Sequence, residues 1–305
     1  PLHAARAVVF EVVYELRLTE IEMKKNFKDF SEIEQEVTQK APPVIYKYRD
    51  WKEEYHKQIL TDNIIWFAHP KSLNDPNDIR APYRFDFNEV NHPLFYNKLK
   101  KYAALAYPNV LQNSIQFELL CQKHLRMIKK DPKSWFESRF SEIRESNIYD
   151  CMGLFSTSQD PGNETMWAHY SKNGTGVCIG FDTIPMLKEL RVAFGPAIYQ
   201  DEPLLYSFIL EQPVTDSDEY AYKHSKWSYE KEFRLLDFRF KDERLRRVVF
   251  SKGLIKCVIL GINSSDETKQ EIIDILKSKY NSSIQLLKAQ TSVSSFGLSL
   301  VEVLY

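Results

Sequence analysis

Glycine is scarce, with 9 among 305 residues. A glycine-rich cradle for phosphates is therefore not expected, and Gly174-Thr175-Gly176 reads as a turn rather than a dinucleotide fingerprint. Cysteine is scarcer still: Cys121, Cys151, Cys178 and Cys257 lie far apart and form no C-x-x-C pair, which excludes a disulfide framework and a zinc ligand set. Cys178 and Cys257 sit in apolar runs that read as buried strands, where free thiols are usual, and this predicts a reducing, cytoplasmic setting. The net charge of −1 supplies no global field toward nucleic acid or anionic lipid. No apolar stretch reaches the roughly 18 residues that a membrane span needs. The first apolar run, Val8 to Val13, is broken by Glu11 and followed by Glu15, unlike a signal peptide. G-x-S-x-G and H-E-x-x-H are both absent. What is abundant is aromatic surface, 13% of the chain, and this is the expected means of holding a ligand.

Residues 4–37 carry Val8, Val9, Val12, Val13 and Leu16 at helical spacing, predicting an N-terminal helical extension over 1–43 that Ala41-Pro42-Pro43 closes. The remainder, 44–305, reads as a single α+β domain. Strands are expected at 44–49, 63–68, 152–158, 177–182, 229–240, 256–261, 284–289 and 298–304. A helical insertion occupies about 93–147, and shorter helices fall at 164–171 and 265–279. One mixed sheet with helical decorations fits this order.

Four segments hold the chemistry. In Trp227-Ser-Tyr229-Glu230-Lys-Glu232-Phe233-Arg234, an extended backbone puts Glu230, Glu232 and Arg234 on one face, the two carboxylates roughly 6–7 Å apart. Such a pair suits one group that activates a nucleophile and one that steadies positive charge. E-x-E is a common pattern of low specificity, however, and from spacing alone it reads first as a solvated face with a Glu232–Arg234 ion pair. Ser156-Thr157-Ser158 ends an apolar strand, where hydroxyls can satisfy open backbone groups or hold a polar ligand. The helix after it carries Trp167 and Tyr170, plates that either stack on a planar ring or pack the helix on the sheet. His169 has no neighbouring Cys or Asp, so no metal is expected there. Arg49, on the face of Ile45 and Lys47, needs an anionic partner, either a structural carboxylate or a phosphate. Asn74-Asp75-Pro76-Asn77-Asp78 has the wrong spacing for an EF-hand and reads as an ordered turn. The basic residues of 239–256 read as a solvated face or a polyanion contact.

Taken in order, Tyr46-Lys-Tyr-Arg49, Asn74-Asp-Pro76, the Met166 to Asp182 block and Trp227 to Arg234 resemble a bacterial family of unknown function, domain of unknown function 2971. The resemblance extends over about 44–290. Asn77 and Asp78 stand where that family has an aromatic residue and a glutamate. The segment order is also similar to ADP-ribosyltransferases of the arginine–serine–glutamate type: an Arg strand, a Ser-Thr-Ser strand, then an E-x-E strand. That second resemblance implies a mixed, mostly antiparallel, split sheet of the ADP-ribosyltransferase kind. It implies that NAD is the substrate and that no metal takes part. Arg49 would grip the diphosphate, with Ser156 orienting the nicotinamide ribose. Glu232 would bond its 2′-hydroxyl, and Glu230 would activate the acceptor. Thr157, Ser158, Trp167, His169, Tyr170, Trp227 and Tyr229 would line the cofactor. The acceptor would be water, a protein side chain or a nucleic-acid base, and a toxin or phage-defence effector of this kind would need an inhibitory partner. Two other readings stand beside it. One is a nucleotide-sensing or protein-binding module without catalysis. The other is a nuclease using Asp75, Asp78, Glu230 and Glu232 around magnesium.

Overall fold

The computed structural model describes residues 41–107, 114–144, 148–210, 212–213, 219–240, 242–294 and 296–305. The helix expected over 4–37 lies outside them. The described residues divide into two compact units, one drawn from 80–149 and 202–220, the other from 41–79, 150–201 and 221–305.

The first unit is helical where the periodicity of 93–147 predicts it, with helices Pro93–Ala106, Ile115–Lys130 and Pro132–Arg144. Ser114 caps the second, its hydroxyl accepting from the Phe117 amide at 3.1 Å. Phe95, Leu99, Tyr102, Ile128, Phe136 and Phe208 form the core. Strands Tyr83–Phe85, Leu204–Ser207 and Gln212–Pro213 make a small sheet in the same unit. Strands of two to four residues are too short to show a period, which is why no strand is expected there from the sequence.

The second unit holds an eight-stranded sheet. Its strands are β1 (Val44–Arg49), β2 (Gly153–Ser158), β3 (Val177–Asp182), β4 (Ala193–Pro196), β5 (Glu232–Asp237), β6 (Ile255–Leu260), β7 (Gln285–Thr291) and β8 (Leu298–Glu302). They run in the spatial order β8-β7-β6-β3-β1-β2-β5-β4. Only β6 and β7 are parallel. A parallel pair needs a crossover, which the helix Asp266–Tyr280 supplies. That helix is well signalled: Ser265 caps it, Asp266 and Glu267 occupy its first turn, Lys277 and Lys279 its last, and Asn281 ends it in the left-handed conformation. Ile45, Phe155, Phe181, Phe233 and Leu235 fill one face of the sheet, under side chains of the helices Glu54–Thr61, Thr183–Leu190 and Asp266–Tyr280. Tyr48, Cys178 and Ile259 fill the other, with Met166 and Trp167 of the helix Glu164–Tyr170. The sheet is thus mixed and mostly antiparallel within an α+β architecture. No helix among the described residues is long and apolar enough to cross a membrane.

The central feature for function is a parting of two strands. β1 pairs with β3 over six residues but with β2 at one position alone, Tyr46 opposite Ser158. From there β1 and β2 diverge. The Lys47 ammonium reaches back to the Ser156 carbonyl, one of the groups that the missing ladder leaves open.

Candidate functional site in the parted sheet

A cleft of about 620 Å³ opens at this divergence, a volume within the usual range for small-molecule sites of about 300–1,000 Å³. All of its lining comes from the second unit. One wall is the end of β1 with Arg49 and Lys47. The opposite wall carries Ser156, Glu230, Glu232 and Lys223, with Asp78 and Asn74 from the loop and Tyr170 from the helix.

The acidic wall is not built as the spacing suggests. Ser225–Glu230 is a 3-10 turn, Lys231 has φ 43° in the left-handed region, and the strand begins only at Glu232. The strand expected over 229–240 is therefore shortened, and Glu230 reaches the site from a turn rather than from a shared strand face. Two bonds hold that turn in place. The Ser158 hydroxyl donates to the Glu230 carbonyl at 2.7 Å, and the Asn163 side chain bonds the Tyr229 carbonyl. The carboxylates nonetheless converge, because both meet the ammonium of Lys223. Its Nζ lies 2.6 Å from Glu230, 3.0 Å from Glu232 and 3.0 Å from Asp78. Arg234 completes the group, 2.6 Å from Asp78 and 3.0 Å from Glu232.

Three carboxylates thus share two cations, leaving one formal negative charge in a buried setting. The proton affinities follow from that count. Burial tends to push Glu232 up, but Arg234 and Lys223 together override it and hold this carboxyl below its ordinary range. Burial prevails at Glu230, which is pushed up despite Lys223, and at Asp78, pushed up despite Arg234 with Glu232 adding to it. The hydroxyl of Tyr170 donates to Glu230 Oε1 at 2.5 Å and accepts from Asn74 at 3.0 Å. Glu232 spends Oε2 on Lys223 and Arg234, while its Oε1 is buried with no hydrogen-bond partner. The nearby Ser156 hydroxyl helps to hold the carboxylate ionised.

The opposite wall has the contrary imbalance. Arg49 has no ion pair with a described residue. Burial lowers its proton affinity to about 10, partly offset by Tyr55. Lys47 is pushed well below its usual value by burial and by Arg49. The same guanidinium adds to the burial that brings His56 down to about 4. Asp50 and Glu53 line the same cleft, but no described carboxylate lies within 4 Å of Arg49, whereas the acidic group opposite holds one anion in excess.

The expected site residues sort as follows. Arg49, Ser156, Glu230, Glu232, His169 and Tyr170 line the one cleft. Thr157 and Ser158 border it but spend their hydroxyls inside the fold, on the carbonyls of Phe233 at 2.6 Å and of Glu230 at 2.7 Å. Trp167 is buried away from the cleft, edge-on to Tyr48, with its indole N–H on the Pro161 carbonyl at 2.9 Å. Trp227 stands behind the acidic wall, its ring 5.3 Å from the Lys223 ammonium. Tyr229 is a further support, its hydroxyl 3.0 Å from His169. Lys223 is the residue that sequence reasoning misses. It lies in a three-residue strand, Tyr222–His224, and a lone basic residue there has no distinguishing pattern. Asp78 also belongs to the site, through its contacts with Lys223 and Arg234.

Residues 166–235 match the family model described as protein of unknown function (DUF2971), and this stretch holds Tyr170, Lys223, Glu230, Glu232 and Arg234. Arg49, Asp78 and Ser156 lie outside the matched residues. No curated protein and no solved structure matches the chain.

Proposed function

We propose that the cleft binds NAD and breaks the bond between nicotinamide and ribose, passing the ADP-ribosyl group to water or to a larger acceptor. The observation that carries this reading is the convergence of Arg49, Ser156 and the Glu230–Glu232 pair on one cleft of dinucleotide size. The similarity of segment order to arginine–serine–glutamate ADP-ribosyltransferases supports it.

Arg49, which has no ion pair among the described residues, takes the diphosphate through charge-assisted hydrogen bonds worth about 1.5–3 kcal/mol each. Glu232 Oε1, the carboxylate oxygen without a partner, accepts the ribose 2′-hydroxyl. As the C1′–N bond breaks, its electron pair leaves with nicotinamide and positive charge develops on the ribose. The ionised Glu232 stabilises that charge, the electrostatic logic of glycoside cleavage. Glu230, whose proton affinity burial raises, takes the proton from the attacking acceptor.

One observation favours a second reading, in which the cleft binds a nucleotide without cleaving it. Glu232 is already held by Lys223 and Arg234, and a carboxylate so neutralised is a weaker stabiliser of ribosyl cation. The metal-dependent nuclease has less support. The Lys223 ammonium fills the point where the three carboxylates converge, and Arg239, Arg244 and Arg246 of the basic run are spent on Asp237, Asp242 and the Met152 carbonyl.

The deciding experiment incubates the chain with NAD and follows free nicotinamide by chromatography, for wild type and Glu232→Gln. Release by wild type that falls at least about 100-fold in the variant supports the glycosidic chemistry. Nucleotide binding without release by wild type turns the reading to the sensor.

A further inference from the structure

The cleft has a feature that the cleavage chemistry leaves unused. Tyr55 and Trp66 both line it, and both are exposed, at 63% and 38%. Tyr55 is close enough to act on the Arg49 charge, and two residues beyond Trp66 the bridge of Ala68 to Leu154 ties that segment to the start of β2, where β1 and β2 have parted. Single exposed aromatics are ordinary on protein surfaces. Two of them on the wall of one polar cleft, which also holds a guanidinium with no ion pair among the described residues, are a different arrangement. Tyr55 is the second residue of the helix Glu54–Thr61, six residues after the end of β1, and it is near enough to Arg49 to offset part of the cost of burying that charge. Trp66 ends a short strand, Ile64–Trp66, whose backbone is pinned to Arg247–Val249. Both rings therefore rise from fixed secondary structure rather than from a mobile loop. Neither belongs to the hydrophobic core.

Resting on the nucleotide reading above, we propose that this part of the cleft is a nucleobase–phosphate subsite. Tyr55 and Trp66 supply aromatic faces for a purine, and Arg49 takes the adjoining phosphate. Different groups recognise the two parts of such a ligand. Phosphate recognition needs a cation that is not already neutralised, and Arg49 meets that need. Recognition of a base needs an apolar, planar surface that remains open to solvent in the free protein, and these two rings provide it. The acidic wall carries a net negative charge and repels a phosphate, so it must face the ribosyl end of the ligand. The polarity of binding is thereby set: base and phosphates toward Arg49, the sugar bearing the leaving group toward Glu232.

The test uses the full chain with ADP and inorganic pyrophosphate as probes, read by calorimetry and by indole fluorescence. ADP should bind at least about ten-fold more tightly than pyrophosphate, since the base adds stacking that the diphosphate alone lacks. Tyr55→Ala and Trp66→Ala should each weaken ADP by about ten-fold and leave pyrophosphate unchanged. Arg49→Met should weaken both probes. Because Tyr55 and Trp66 are exposed, both variants should keep the wild-type circular dichroism and unfolding midpoint. Equal affinity for ADP and pyrophosphate overturns the subsite, as does unchanged ADP affinity in the Tyr55 and Trp66 variants. The two proposals fail separately. ADP binding with the expected variant pattern, but no nicotinamide release, leaves the subsite standing without the chemistry. NAD cleavage whose KM is untouched by Tyr55→Ala and Trp66→Ala leaves the chemistry standing without the subsite.

Discussion

Replacing Lys223 with Met removes the ammonium that lies 2.6 Å from Glu230 and 3.0 Å from Glu232 and Asp78, while keeping a side chain of similar length. Three buried carboxylates would then face Arg234 alone, and the formal charge of the group would fall from −1 to −2. Removing one partner of a buried ion pair costs about 3–5 kcal/mol, and that is the expected loss at pH 8. The pH dependence has a definite sign. A carboxyl whose proton affinity rises on folding, as at Glu230 and Asp78, contributes stability below the unfolded value of about 4 and loses it as pH climbs through the raised folded value. Taking away Lys223 raises these two groups further. Glu232, held low in the wild type, keeps its contribution throughout mildly acidic to neutral pH and loses it only in strong acid. The variant's deficit should therefore shrink on acidification from pH 8 to 5. Urea unfolding followed by far-ultraviolet circular dichroism would measure it, with Lys223→Met/Glu230→Gln as the companion that removes one uncompensated carboxylate. The double variant should recover at least about 1 kcal/mol relative to simple addition. A deficit under about 1 kcal/mol at pH 8, or one that does not change with pH, would refute the charge count on which the site description rests.

Three further outcomes follow from named contacts. Tyr170→Phe removes the hydroxyl that helps to keep Glu230 ionised, so the pH profile of any Glu230-dependent activity should move to higher pH; an unmoved profile would separate Tyr170 from Glu230. Gly176→Ala would drive a Cβ to 2.1 Å from the Arg49 carbonyl, distorting the end of β1, and should lower the unfolding midpoint and nucleotide affinity together. In thiol titration of the native chain Cys151, which is half-buried, should react first; Cys121, Cys178 and Cys257 are buried and should react only on unfolding, Cys257 with its thiol pushed up to about 11 by burial.

Most of the large sheet was legible because its strands are long enough to show a pattern. Val44–Arg49, Gly153–Ser158, Val177–Asp182 and Ile255–Leu260 each run six residues, and the helix Asp266–Tyr280 announces itself by caps and end charges. Ala193–Pro196 and Tyr222–His224 are too short for that, and with Tyr222–His224 the reading lost Lys223. The aromatic residues misled for a different reason. Trp167, Trp227 and Tyr229 have the composition of ligand plates, but their rings pack the helix, cover Lys223 and brace His169. The two aromatics that do face the cleft in the open, Tyr55 and Trp66, lie in segments with no motif around them. Residue type alone cannot separate these cases, because a buried ring and a recognition ring are chemically the same and differ only in what already covers them.

The E-x-E segment shows why spacing and geometry can agree on an outcome while differing on its cause. In an extended strand, Glu230 and Glu232 point the same way because the backbone alternates. Here the left-handed Lys231 breaks the strand between them, and alternation has no bearing on Glu230. What brings the two carboxylates together is a third residue, Lys223, with the Ser158 hydroxyl holding the Glu230 carbonyl. The distinction has a chemical consequence. On one strand the two acids would have similar surroundings and similar proton affinities. With Glu230 on a turn and Glu232 at the strand's start beside Arg234, their affinities move in opposite directions, one raised by burial and one lowered by its cations. An acid held ionised next to one whose proton affinity is raised is the kind of pair that a two-carboxylate mechanism uses. The break at Lys231 therefore gives the two carboxylates different surroundings, as the proposed chemistry requires.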